Sequence, residues 1–439
     1  MNLHTATTTS FGYRFLRTLF FLLAATLVFT ACAGGEKQSG TASNESQESN
    51  VSVQTDQEGR HFEISIKTTK EEKGASQDLT PIVGEVTNAP VPFAGSDGKT
   101  HLDYELHATN FSGGKTTIEK LEVLDADSGD VVATLDTKEV TSRLQPAGLR
   151  ESAKSLAPSM MANVFLDLTF GEAGDVPDRL LHRLSIKAEA SPPGHQQITE
   201  EVGPTDVDRR AVAVIGPPLK GSNFLAADSC CDSTLHRRAT LPINGRISLA
   251  QRYAVDWEQL DANNRIYSGK KKVDNYTIYG QKAIAAADGT VVKVVDGLPE
   301  QKPGVFPENI SLEEADGNSV ILDIGGGNYA LYAHFQPGSI RVKEGDRVER
   351  GEVLALVGNF GNSLAPHLHF HVMSGPLSLA SNGLPYVIDS YTVTGQSAGT
   401  DAAFDKAEQE GTRLALTPVD PAEKIPNAMP LDQRVVDFD

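Results

Sequence analysis

The chain has 439 residues, of which 39% are apolar and 22% are charged, and its formal net charge is −19. This length predicts two or three domains, and the composition excludes a fibrous or wholly disordered chain. The acidity argues against nucleic acid as a partner, because phosphate binding needs clustered lysine and arginine. A soluble, self-repelling surface is the simplest explanation of the charge, and the sequence gives no indication of an oligomeric state.

Residues 1–31 have the pattern of a secretory signal. Arg14 and Arg17 precede the apolar run "TLFFLLAATLVF", which is shorter than a membrane span and is followed by small residues and Cys32. A cysteine at this place is typical of a bacterial lipoprotein, so we expect Cys32 to be lipidated and to anchor the exported chain to a membrane. A plain signal peptide is the alternative. Ala33 favours the periplasmic face of the outer membrane if the cell is Gram-negative.

Residues 32–55 are polar and lack aromatic side chains, which predicts a flexible tether. From 56 to 215, short segments alternate apolar and polar residues, among them "HFEISIK" (61–67) and "LDYELHATN" (102–110), and turn residues separate several of them. This pattern predicts a β-sandwich of immunoglobulin-like type.

Residues 216–245 are irregular and rich in turn residues, so we expect a linker. Strands return from 246 to 395, now with many glycines and with hairpin corners such as Asp-Gly and Gly-Asp. Residues 396–439 begin with a polar stretch, expected to be a loop, and end in an apolar segment, expected to add a final strand.

The stretch "HLHFHV" places His367, His369 and His371 at alternate positions. Side chains alternate along a strand, so all three imidazoles point to one face. An incidental polar face is the alternative, but three histidines within five residues beside a glycine-rich loop indicate a metal ion or a reacting water.

Three motifs in order, "YAVDW" (253–257), "YAHFQPGS" (332–339) and "APHLHFHV" (365–372), resemble the LytM/lysostaphin-like zinc metallopeptidases, which cut peptide cross-links in bacterial cell walls. The resemblance covers residues 246–376. It implies an antiparallel β-barrel for residues 246–395, and the whole chain is then expected to be all-β, with the sandwich preceding the barrel.

The resemblance also implies roles for individual residues. Asp256 and His369 match metal ligands, His367 matches the general base, and His334 matches the histidine that polarises the substrate carbonyl. Catalytic zinc takes three nitrogen or oxygen ligands from the protein and keeps an open position for water. An imidazole, with an ordinary pKa near 6.5, can take a proton from that water, and a second can stabilise the oxyanion.

One ligand is missing from its usual place. The family motif is His-x-x-x-Asp, but Arg252 stands four residues before Asp256, and an always-charged guanidinium cannot bind zinc. Two histidines are candidates for the missing ligand: His371, on the same strand face as His369, and His236, in the upstream segment. Cys230 or Cys231 is a further candidate, and these adjacent cysteines could instead form a disulfide or remain reduced.

The sequence therefore predicts a zinc-dependent endopeptidase that hydrolyses peptide bonds in bacterial peptidoglycan. One alternative is a degenerate LytM-like scaffold that regulates other wall hydrolases. Another is an envelope lipoprotein in which the sandwich binds a glycan or peptide.

Overall fold

A computed structural model gives the fold and describes residues 79–231, 236–399 and 401–439. The predicted signal, Cys32, the tether and the predicted strand at 61–67 lie outside the described residues. Residues 80–439 form one compact unit. Among the residues described, we find no helix with the length and apolar character needed to cross a membrane.

The described chain is nearly all β, with mainly antiparallel sheets, which confirms the predicted class. The strands and helices are β1 (Ile82–Glu85), β2 (Phe93–Ala94), β3 (Thr100–Asn110), β4 (Thr116–Asp125), β5 (Val131–Leu135), α1 (Thr137–Arg143), β6 (Leu144–Pro146), β7 (Met161–Phe170), β8 (Arg179–Ala188), β9 (Gln197–Asp206), β10 (Ala213–Ile215), β11 (Gly221–Ala227), β12 (Leu241–Ile243), β13 (Arg246–Ser248), β14 (Val255–Gln259), β15 (Lys282–Ile284), β16 (Gly289–Val295), β17 (Ser319–Gly325), β18 (Asn328–Ala333), β19 (Arg347–Val348), β20 (Val353–Leu356), β21 (Leu368–Met373), β22 (Tyr386–Ser397), α2 (Asp401–Glu410), β23 (Leu416–Ala428) and β24 (Arg434–Phe438).

Two antiparallel sheets, β1-β3-β7-β6 with β2 on β3, and β5-β4-β8-β9, share one apolar core. Strand β3 shows why: Leu102, Tyr104 and Leu106 point into this core and are buried. Asp103 and Glu105 alternate with them, so they lie on the opposite face of the sheet. The immunoglobulin-like type of this sandwich stays a prediction.

The largest sheet among the described residues runs β10-β22-β24-β11-β14-β21-β18-β17-β16-β19, with β23 on β22. It extends beyond residues 246–395 on both sides. Strand β10, at the end of the predicted sandwich, pairs in parallel with β22, and β11, within the predicted linker, lies between β24 and β14. Turn residues dominate 216–245, but the apolar run Phe224–Ala227 within it is buried on both faces of this sheet.

The last strand, β24, lies inside the sheet, where the ring of Phe438 packs against Trp257 and Phe224 at centroid distances of 5.1 and 5.5 Å. We expect Phe438→Ala to lower the free energy of unfolding by about 3–5 kcal/mol, because it removes a buried ring and leaves a cavity. Urea unfolding measures this. Val214→Ala, at an exposed apolar residue, serves as the control, with an expected change within about 0.5 kcal/mol. Equal effects of the two changes would contradict the packing described.

Helix α2 replaces part of the expected loop after residue 396. Its sequence, "DAAFDKAEQE", is rich in good helix formers. Phe404 and Ala407 are buried in an apolar cluster with Ala227, Ala365 and Tyr276. The polar composition that suggested a loop is the solvated face of an amphipathic helix.

Candidate metal centre

Three neighbouring strands bring the separate motifs together. Asp256 on β14 lies opposite His369 on β21, and His369 lies opposite Ala333 on β18. His334 directly follows Ala333, and His367 directly precedes β21. The pairing register of these three neighbouring strands therefore brings all four sequence-predicted site residues close together.

The carboxylate of Asp256 is the centre of the cluster. Its Oδ1 lies 2.8 Å from Nδ1 of His369, 3.3 Å from Nε2 of His367 and 3.4 Å from Nε2 of His236. Two sets of three residues each offer ligand atoms within 4.8 Å of one another: His236, Asp256 and His369, and His334, His367 and His369. One carboxylate and four imidazoles therefore converge on one small volume.

His236 reaches this cluster from the predicted linker. Its Nδ1 lies 2.7 Å from the carbonyl oxygen of Asp228, and because a carbonyl only accepts, Nδ1 carries the proton. Nε2 then faces the Asp256 carboxylate: it donates to that carboxylate while the ring is charged, and it has a free lone pair for a metal once that proton is lost. A backbone carbonyl that fixes the ring and tautomer in this way is typical of metal-binding histidines.

Arg252 points away from the cluster. Its guanidinium donates to both carboxylate oxygens of Glu105, at 3.0 and 2.7 Å, and to the carbonyl oxygen of Gly383 at 3.0 Å. The positive charge is thus bound at the sandwich. This orientation is the condition under which another histidine can complete the site.

His371 contacts the candidate ligand His369 rather than the Asp256 carboxylate. Its Nδ1 lies 2.9 Å from Nε2 of His369, whereas Nδ1 of His369 faces Asp256. His371 is buried, and its Nε2 has no hydrogen-bond partner among the described residues. The two candidates for the missing ligand are therefore in different places: His236 is beside Asp256, and His371 is behind the His369 ring.

The cysteines are also separate from the histidine cluster. Cys230 and Cys231 are joined in a disulfide. Cys231 lies near His101 and Asp167, 3.7 Å from the ring nitrogen Nδ1 of His101. Neither sulfur belongs to a group with Asp256 or His369.

Backbone carbonyls orient His334 and His367. Nδ1 of His334 donates to the carbonyl oxygen of Phe360 at 2.6 Å, and Nδ1 of His367 donates to that of Ala365 at 2.8 Å. His334 has a φ of 67°, which is rare for a residue with a side chain. Gly317, with a φ of 64°, allows the Phe360 carbonyl to approach, because a side chain at 317 would collide with that oxygen.

Burial and mutual charge set the protonation of the cluster. Burial by itself raises the pKa of Asp256. His367 and His236 lower this pKa by more than burial raises it, so it lies well below the usual range. Burial lowers the pKa of His236, but Asp256 and Asp228 raise it to about 9. Burial is the largest cause that lowers the pKa of His334, and the neighbouring His367 and His369 lower it more. This pKa therefore lies well below its ordinary value. For His367 the Asp256 carboxylate outweighs burial, so its pKa is raised.

The cluster is enclosed. The side chains of His236, Asp256, His334, His367 and His369 are all buried. Phe404 and Ala407 of helix α2 lie in one apolar cluster with Ala227 and Ala365. Ala227 lies opposite Asp256 in the β11–β14 pair. This packing places α2 beside the strand that carries Asp256 and the segment that precedes His367.

Sequence reasoning did not find the residues that hold Arg252 and the segment after His236. Arg237 bonds to Asp103 and Glu105, so both carboxylates contact residues near the cluster. The detectable signals are two acids at alternate positions of an otherwise apolar strand, and two arginines directly after a candidate ligand.

Residues 269–381 match the model of peptidase family M23. The matched segment contains three of the clustered histidines, His334, His367 and His369. Residues 269–381 are a domain of peptidase family M23. Members of that family are zinc metallopeptidases, so the assignment confirms the family resemblance drawn from the motifs.

Solved M23 structures are similar at low identity. The lysostaphin catalytic domain from Staphylococcus simulans shares 20% identity over 37% of this chain and 88% of its own, with a TM-score of 0.21. Pseudoalterin, a deep-sea M23 metalloprotease, shares 13% identity over 48% of this chain and 99% of its own, with a TM-score of 0.25. Helicobacter pylori Csd3 shares 14% identity over 64% and 71%, with a TM-score of 0.22. The family assignment therefore depends on the sequence match and the motifs.

Proposed function

We propose that this protein is a zinc-dependent endopeptidase that hydrolyses peptide bonds in bacterial peptidoglycan. The observation that carries the proposal is the cluster in which His236, Asp256 and His369 face one another, with His334 and His367 beside them. The segment that matches family M23, residues 269–381, supplies His334, His367 and His369 of this cluster.

The donor set fits zinc. Two imidazole nitrogens and one carboxylate oxygen are the ligands of a catalytic zinc site with an open position. In our proposal His236 supplies the ligand that is absent at position 252, and His371 supports His369 from behind as a hydrogen-bond partner. Zinc held by such a set supplies Lewis acidity, which acidifies water and polarises a carbonyl.

His334 and His367 move the protons. Each has its Nδ1 hydrogen bonded to a carbonyl oxygen, so each has only Nε2 for proton transfer. The lowered pKa of His334 keeps it neutral, and it is suited to take a proton from the attacking water. The Asp256 carboxylate raises the pKa of His367, which favours the charged ring and suits it to donate to the carbonyl oxygen or the leaving amine. These roles are the reverse of those that the family resemblance implied.

Zinc affinity is expected to rise about tenfold per pH unit between pH 7 and 9, because zinc must displace a proton from His236, whose pKa is raised to about 9. Over the same range, the metal-free protein is expected to lose stability. A raised pKa stabilises the fold below the unfolded value of about 6.5, and that stabilisation disappears as the pH passes the folded value. Chelator competition and urea unfolding at several pH values test both trends. A flat affinity across this range would contradict the protonation of His236.

Hydrolysis itself is tested with zinc-loaded protein and purified peptidoglycan, by detecting newly formed amino groups. We expect cleavage by the wild type and a loss of at least about 100-fold in Asp256→Asn and in His367→Ala. Asp130→Asn, at an exposed carboxylate of the sandwich, is the control and should keep full activity.

The enclosed cluster favours one second reading, a latent or regulatory domain that does not cut. Phe404→Ala, which weakens the packing of α2, separates the two readings. Under the endopeptidase proposal this change increases cleavage, because a looser α2 exposes the neighbouring Asp256 and His367 to the substrate. If zinc-loaded wild type and Phe404→Ala both fail to cleave, the endopeptidase proposal is wrong and the regulatory reading stands.

A further inference from the structure

The residue after His236 is fixed to the sandwich. Arg237 is buried, and its guanidinium donates to the Glu105 carboxylate and to the carbonyl oxygens of Tyr104 (2.8 Å) and Leu166 (3.1 Å). It also forms an ion pair with the Asp103 carboxylate at 2.6 Å. The acceptors belong to β3 and β7, the paired strands of one sandwich sheet. The side chain of the residue next to the candidate ligand is therefore held by the sandwich and not by the sheet that carries Asp256 and His369.

Arg238 adds a second attachment. Its guanidinium lies 4.3 Å from the ring centroid of Phe165 on β7. It also donates to the carbonyl oxygens of Ser142 and Arg143 at the end of α1, both at 3.1 Å. Two consecutive arginines thus bind the same sheet, and His236 lies immediately before them.

Glu105 connects this attachment to the missing ligand. It accepts from Arg237 and also, through both oxygens, from Arg252. One sandwich carboxylate therefore holds the arginine at the family's vacated ligand position and the arginine beside the histidine that approaches Asp256. On the other side, the ring of His236 is oriented by the Asp228 carbonyl of the segment after β11.

We propose that the sandwich is a structural part of the metal centre, with Arg237 as a positioning residue that holds His236 toward Asp256 and His369. This inference rests on the proposed function for the identity of the metal. It assigns the sandwich a role in metal binding rather than in separate recognition of glycan or peptide. It also predicts that residues 246–395 alone do not make the full site, because they lack both His236 and its attachment.

The test is the zinc affinity of the full chain, measured by competition with a chromophoric chelator at pH 8. Arg237→Gln is expected to bind zinc at least about tenfold more weakly, the range found for partners that orient a metal ligand. Leu184→Ala, in the sandwich core and fully buried, is the matched control. It destabilises the same domain without touching Arg237, and it should keep wild-type affinity at temperatures where both variants are folded. Arg237→Gln within twofold of wild type, or an equal loss in Leu184→Ala, would overturn the proposal.

A second, more conservative variant tests the positioning role even if Arg237→Gln does not fold. Arg237→Lys keeps the buried charge but cannot span both carboxylates and both carbonyls. We expect a smaller loss of affinity, together with an altered visible spectrum of the cobalt-substituted protein, because the position of His236 shifts. An unchanged spectrum and affinity in Arg237→Lys would count against the positioning role.

Different results would contradict the metal centre and the positioning role of Arg237. If the wild type binds no zinc, or His236→Ala keeps wild-type affinity, the proposed metal centre is wrong. If His236→Ala loses zinc but the Arg237 variants keep it, the metal centre stands and the positioning role is wrong.

Discussion

Replacing His236 by alanine is expected to weaken zinc binding by more than about 100-fold, since even partners outside the ligand set contribute about 10–100-fold. The reason is geometric: Nε2 of His236 lies 3.4 Å from Oδ1 of Asp256, while the residue four places before Asp256 is an arginine turned toward Glu105. Without His236, only two ligands of the catalytic set remain. Chelator competition with the purified protein measures the change.

Two histidine variants serve as comparisons. His371→Ala should weaken binding less, because His371 contacts the ring of His369 and not the carboxylate. His195→Ala, at an exposed histidine of the sandwich, should have no effect. Loss of zinc in His371→Ala with full retention in His236→Ala would show that His371 is the ligand and that the assignment of His236 is wrong.

Glu105→Ala is expected to lower the free energy of unfolding by about 3–5 kcal/mol. Glu105 is buried and accepts hydrogen bonds from the buried guanidinium groups of Arg237 and Arg252. Removing the carboxylate deprives both buried cations of an anionic partner, which costs more than loss of the pair's own attraction. Urea unfolding of the zinc-free protein separates this effect from metal binding.

The control for Glu105 is an exposed ion pair on the same domain. Glu201 pairs with Arg183 at 3.0 Å, but both side chains are solvent-accessible. Glu201→Ala should therefore change the free energy of unfolding by at most about 1 kcal/mol. A change of that size in Glu105→Ala as well would mean that the buried network does not stabilise the contact between the sandwich and the segment that carries Arg237 and Arg252.

Much of the site was accessible from sequence because it depends on local patterns. Alternation along "HLHFHV" predicts that His367 and His369 share one face, and the order of three motifs identifies Asp256 and His334. The structure adds the pairing register that brings these residues together. The all-β class combined the alternation in residues 56–215 with the β-barrel that the family resemblance implied for residues 246–395.

The rest depends on contacts between residues far apart in the chain. His236 lies beside Asp256, and the next residue, Arg237, is bound to a sandwich strand more than a hundred residues upstream. Turn-rich composition cannot reveal such a contact, and for the same reason it does not reveal strand β11 within residues 216–245. Helix α2 was missed because its polar face resembles a loop when the burial of Phe404 is not known.

The most direct test of this account is a crystal structure of the zinc-loaded full chain with anomalous data collected at the zinc edge. The account predicts one peak about 2.0–2.2 Å from a nitrogen of His236, a carboxylate oxygen of Asp256 and Nδ1 of His369. A peak bound by His371, or one held by His334, His367 and His369 with His236 turned away, would contradict it.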